Sequence, residues 1–110
     1  MERFVKEEIV VVHFPFSDLS DSKKRPALVL ADLAGNDVIL CQITSKSVSD
    51  VYAITLQQKD FSIGSLHKPS NIRPNRLFTA DKNIIVKKVG QIRKEKQLEI
   101  IDEITKLIQY

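Results

Sequence analysis

The sequence predicts a mainly β domain, a small and strongly bent antiparallel sheet or barrel closed by one C-terminal α-helix. Three observations lead there. Short runs rich in β-branched and aromatic residues recur along the first 90 positions, separated by Gly, Pro, Asn, Asp and Ser. After Gly90 the apolar period changes from strand-like to helical, with no further Gly or Pro. The 110 residues hold ten Val, ten Leu, thirteen Ile and five Phe, enough to fold but too short a chain for a second core, so residues 1–110 read as one domain.

The elements follow in order. Ile9–Phe16 reads as a first strand, with Pro15 marking its end or an edge position. Ser17 to Lys24 is a polar loop, and Ala27–Ala31 a second strand entered through Arg25-Pro26. Gly35-Asn36 turns the chain, and Val38–Ile43 returns as the hairpin partner, ending at Thr44. Tyr52–Leu56 alternates as a short strand, Gly64 to Pro74 reads as loop, and Leu77–Thr79 and Ile84–Val89 as strands, the latter closed by Gly90. From about Lys94 to Gln109, Leu98, Ile101, Ile104, Leu107 and Ile108 fall on helical spacing. This predicts an amphipathic helix whose Ile101, Ile104 and Ile108 stripe covers the barrel.

Composition narrows the function classes. The single cysteine, Cys41, excludes a disulfide framework and a Cys-rich zinc site, and fits a reducing compartment. No apolar signal core or membrane-length run is present, so a cytoplasmic protein without a membrane partner is expected. The net charge is +3, but residues 61–94 hold eight bases and one acid, +7 within an otherwise near-neutral chain. Such a block is either a solvated face or the footprint of a polyanion, most commonly nucleic acid.

Two small motifs offer chemistry. Pro26 fixes the entry into its strand and holds Arg25 extended at a loop–strand junction, where a permanently charged planar fork suits an oxyanion. Thr44-Ser45 ends the return strand with two hydroxyls, which serve either a turn or a phosphate. Because Arg25 and Thr44 both lie at the open end of the hairpin, opposite Gly35-Asn36, they are expected to be neighbours.

The stretch Ile9–Leu30, with its strand, loop, Arg25-Pro26 pair and apolar strand, resembles the opening of the MazF/PemK family of toxin endoribonucleases. Gln42–Lys46 is similar to the family's second block, and Gly64–Asp81 to its third, with the helix in the family's place. The resemblance implies an SH3-like barrel of the CcdB/Kid/MazF type, usually a homodimer, that cleaves single-stranded RNA, mostly messenger RNA, without a metal or other cofactor. It also implies a cognate antitoxin whose acidic tail covers the RNA groove. By position Arg25 matches the catalytic arginine and Thr44 the catalytic hydroxyl, while Lys24, Ser45, Lys46, His67, Lys68, Arg73, Asn75 and Arg76 become candidate RNA contacts. Two positions depart from the pattern. Glu7-Glu8 stands where the family often has Gly-Asp, and Asn75 where some members carry an acidic base.

Metal-free cleavage requires the 2′-hydroxyl to attack its own phosphate in line. The site must therefore accept that proton, stabilise the phosphorane and protonate the leaving 5′-oxygen. An arginine stays protonated, so Arg25 suits charge stabilisation, with proton donation open to it, and Thr44 suits orientation of the phosphate. Glu7, Glu8, His13, Asp18, Asp21 and His67 remain candidates for the base. His13 also fits a packed or edge strand residue, and Phe61 and Phe78 fit core packing at least as well as base stacking. Two rivals stay open at this point, a non-enzymatic gyrase poison of the same fold and an inactive RNA- or antitoxin-binding module.

Overall fold

The computed structural model describes residues 4–14, 23–45 and 50–109. Seven strands form one antiparallel sheet: β1 (Glu8–His13), β2 (Lys24–Asp32), β3 (Asp37–Thr44), β4 (Ile54–Leu56), β5 (Phe61–Gly64), β6 (Ser70–Asp81) and β7 (Ile85–Ile92). Helix α1 (Lys94–Ile108) follows. Their spatial order, β4-β6-β3-β2-β1-β7-β5, curls into a half-barrel.

The central strands are apolar on both faces because the sheet has a core on each side, two where the chain length led to the expectation of one. Ile9, Leu28, Cys41, Ile43, Ile72 and Ile92 point to the first core, which Ile100 of α1 seals. Val10, Val12, Ala27, Val29, Val38 and Leu40 form the second, with Phe14 and Phe78 packed at its margin. This is why the runs Ile9–Val12, Ala27–Leu30 and Val38–Cys41 are continuous rather than alternating. Truncating the fully buried Ile100 to Ala would cost ~2–5 kcal/mol in a site of this kind.

The β2–β3 hairpin forms as expected, with Gly35 at φ +79° in its turn and Ala27 opposite Gln42 in its ladder. Several boundaries differ. β1 stops at His13, and Phe16 lies outside the described residues. The expected loop 64–74 is strand from Ser70 onward, continuous with the expected short strand at Leu77, so that β6 runs twelve residues through Pro74. A bulge makes this possible: Cys41 pairs with Leu77 and Ile43 with Ile72, leaving Arg73–Arg76 of β6 opposite Gln42 alone. β7 continues past Gly90 to Ile92, and β5, absent from the sequence reading, pairs with it. Gly64 ends β5 at φ +73°, where an added Cβ would collide with the Val89 carbonyl.

The helix lies in its expected place but is turned about its axis. Gln97 and Ile100 are buried and Ile104 packs on the first core, whereas Leu98, Ile101 and Ile108 are exposed. The expected Ile101–Ile104–Ile108 stripe is therefore split. Only Ile104 of the three covers the sheet. The start of α1 is tied by Arg93 N–H to the Asp60 carbonyl (2.8 Å) and by Arg93 Nε to the Lys59 carbonyl (2.9 Å).

Candidate active site

Arg25 on β2 and Thr44 on β3 both stand at the open end of the β2–β3 hairpin. The ladder pairs Ala27 with Gln42, and two residues beyond these, on the same side of each strand, stand Arg25 and Thr44. Arg25 is half-buried and also pairs with Val12 of β1, so strands on both sides fix its backbone. Its guanidinium carbon lies 5.9 Å from the centroid of the Phe14 ring, within cation–π range. Thr44 is buried and pairs with Asn71 of β6, and the exposed Ser45 follows it. Lys46 lies outside the described residues, as do Asp18 and Asp21.

Beside this pair opens a pocket of about 310 Å³ lined by Phe14, Gln42, Arg76, Leu77 and Phe78. Phe14 and Phe78 meet edge to face, with centroids 5.4 Å apart and planes at 78°. The β6 bulge makes the opening, since the strand turns away from β3 at Gln42 alone. Phe78 is half-buried here at the edge of the second core, while Phe61 is fully committed to the first.

The third-block residues divide. Arg73 is committed to Asp50: Nε and Nη2 both donate to Oδ2, at 3.3 and 3.2 Å, with both side chains mostly buried. Asp50 Oδ1 accepts from the Tyr52 N–H at 2.9 Å, and its carboxylate also accepts from the Asn75 side chain. The Tyr52 N–H, ahead of Arg73 and Asn75, holds the Asp50 carboxyl below the ordinary range. A carboxylate thus stands at Asn75 after all, supplied from the chain before β4. Its lone pairs are taken, which makes it an anchor for the bulge rather than a base. Sequence reasoning missed Asp50, since nothing local distinguishes it from other loop aspartates. Arg76 is exposed at the pocket mouth, and Lys24 is exposed beside Arg25. His67 and Lys68 line a separate pocket of about 460 Å³ with Thr55, Gln57, Gln58 and Phe61, which shares no residue with the first.

The base candidates are placed as well. Glu8 is structural: its Oε1 accepts the Val5 N–H at 2.6 Å, and its Oε2 pairs with Lys88 at 3.1 Å. Glu7 sits at φ +80°, the left-handed region that glycine favours. His13 is exposed at the end of β1, opposite Lys24. Among the described residues, no group of three His, Cys, Asp or Glu is arranged to hold a metal ion.

The comparisons with known proteins agree with this fold. Residues 6–108 match the model of the PemK-like, MazF-like toxins of type II toxin-antitoxin systems. The chain belongs to that family. Among solved structures it is similar to MazF from Deinococcus radiodurans (17% identity, 96% of each chain covered, TM-score 0.74). It is also similar to the toxin MazF-mt6 of Mycobacterium tuberculosis (15% identity, 93% of this chain and 96% of that one, TM-score 0.71). A third is a mycobacterial endoribonuclease in complex with its cognate antitoxin (9% identity, 97% and 96% covered, TM-score 0.75). No curated protein matches the sequence.

Proposed function

We propose that this toxin-family protein is a metal-independent, sequence-selective endoribonuclease that cleaves single-stranded RNA, chiefly messenger RNA. The observation that supports the reading is the placement of the Arg25 guanidinium within cation–π range of Phe14, on a strand whose hairpin partner ends at Thr44. Arg25 stabilises the charge that builds on the phosphorane, and the Thr44 hydroxyl orients the phosphate. In the step itself the 2′-oxygen forms a bond to phosphorus as its proton leaves. The bond to the 5′-oxygen breaks as that oxygen is protonated, giving a 2′,3′-cyclic phosphate and a 5′-hydroxyl. Lys24, Ser45, Lys46 and Arg76 sit beside this centre in sequence or space and contact the backbone. Arg73 and Asn75 shape the bulge from which Arg76 projects, and His67 and Lys68, in the loop before β6, extend the path. Mass spectrometry of a cleaved oligonucleotide tests the chemistry: cyclic phosphate ends are expected, and 3′-hydroxyl with 5′-phosphate ends would overturn it.

The partners follow from the same reading. A cognate antitoxin with an acidic tail suits the exposed bases Lys24, Arg76 and Lys87, and one of the similar structures is an endoribonuclease bound to its antitoxin. A cytoplasmic homodimer is the working assembly, since a single barrel of this size is marginal alone and two would lengthen the groove. Light scattering at micromolar concentration should return twice the chain mass of 12.5 kDa; a fully active monomer would exclude the dimer.

A further inference from the structure

The pocket between β3 and the β6 bulge has no part in the phosphate chemistry above. Its walls combine the rings of Phe14 and Phe78 and the Leu77 side chain with one neutral amide, Gln42, and one cation at the mouth, Arg76. Flat apolar walls and a single amide, next to a backbone-binding centre, match the chemistry of an unstacked nucleobase. Rings supply stacking surface to any base, and an amide offers a donor and an acceptor side by side for a base edge. Position gives the pocket its meaning. Gln42 is two residues before Thr44 on the same face of β3, and Phe14 is shared between the pocket wall and Arg25.

We propose that this pocket takes one nucleobase of the single-stranded substrate, flanking the scissile phosphate, and that Gln42 reads its edge. The inference rests on the endoribonuclease reading and names the part of the site that selects sequence. The phosphate bound at Arg25 and Thr44 fixes the backbone, so only the base next to it can enter. Arg76 at the mouth holds that nucleotide's own phosphate. Arg25 and Thr44 then cut, while Gln42 sets which base the cut follows or precedes.

The test uses the full-length protein, a partly randomised RNA and sequencing of the cut ends. Gln42→Leu keeps the bulk and removes the amide. It should lower the preference at one position beside the cut by about tenfold, the scale of a lost two-point base contact, and leave the other positions as in the wild type. An unchanged motif, or an equal loss at every position, would overturn the assignment. A second measurement separates this proposal from the catalytic one: titrate the protein with each nucleoside 5′-monophosphate and follow the Gln42 side-chain amide by NMR. A shift with one nucleotide in a protein that cuts no RNA would keep the pocket and reject the enzyme. No shift with any of the four, in a protein that cuts, would reject the pocket alone.

Discussion

Arg73 and Asp50, 23 residues apart in sequence, form a two-point ion pair in which both nitrogens of one edge of the guanidinium reach a single carboxylate oxygen. Lys82–Asp32 at 2.8 Å and Lys88–Glu8 at 3.1 Å are further ion pairs, each through a single contact. The basic block at 61–94 is therefore partly internal. Several of its charges hold strands together instead of facing a polyanion.

This distinction changes what salt should reveal. With an uncleavable single-stranded RNA, Arg76→Ala should flatten the log–log salt dependence of binding by about 0.7, one phosphate contact. Arg73→Ala should leave the slope nearly unchanged, because its charge is already neutralised by Asp50. Equal loss of slope in both variants would show that Arg73 faces the RNA.

Asp50 also gives the fold a pH dependence of known sign. Its carboxyl titrates below the ordinary value, chiefly through the Tyr52 N–H and then Arg73, so the folded state binds its proton less readily than the unfolded chain. The stability it contributes is complete above the unfolded value of about 3.9 and is lost as pH falls through the lower folded value. Denaturant unfolding from pH 6 down to pH 2.5 should show a shallower acid loss for Asp50→Asn than for the wild type. Identical slopes would remove Asp50 from the account.

Glu7 stores backbone strain at φ +80°. Its side chain offers a weak return, a 3.5 Å contact with Gln91 Nε2, while its carbonyl accepts the Ile92 N–H at 2.8 Å whatever the residue. Glu7→Gly should therefore raise stability by about 1 kcal/mol, visible as a higher denaturant midpoint at an unchanged slope. A lower midpoint would mean that the side chain matters more than the strain.

Cys41 points into the first core and donates its thiol to the Arg73 carbonyl at 3.1 Å. Burial pushes its pKa up to about 12. The folded protein should not react with a disulfide reagent at pH 8, and one thiol per chain should appear on unfolding. Rapid native labelling would place Cys41 at a more open position.

Much of this was legible in the sequence. The β2–β3 hairpin could be read because Gly35-Asn36 punctuates two apolar runs, and its register puts Arg25 and Thr44 at the same open end. β5 could not, since Phe61–Gly64 follows a single 3₁₀ turn and has no period of its own. Ser70–Arg76 looks like loop because Pro74 and its polar neighbours do, and only the bulge opposite Gln42 lets it join a sheet. The helix face slipped by one residue because adjacent isoleucines at 100 and 101 satisfy two stripes equally, and the sheet chose Ile100. Asp50 takes its role from a contact with Arg73, 23 residues further along the chain, which no local pattern announces.

The most direct measurement of the central claim is cleavage of a long RNA by the purified protein in EDTA, with every cut site mapped. The wild type should cut at a short recurring sequence and be indifferent to the chelator. Arg25→Ala and Thr44→Ala, with circular dichroism unchanged, should each lose about 100-fold to 1000-fold in rate, as for a missing oxyanion donor. Strict dependence on magnesium, or wild-type cutting by either folded variant, would contradict the account.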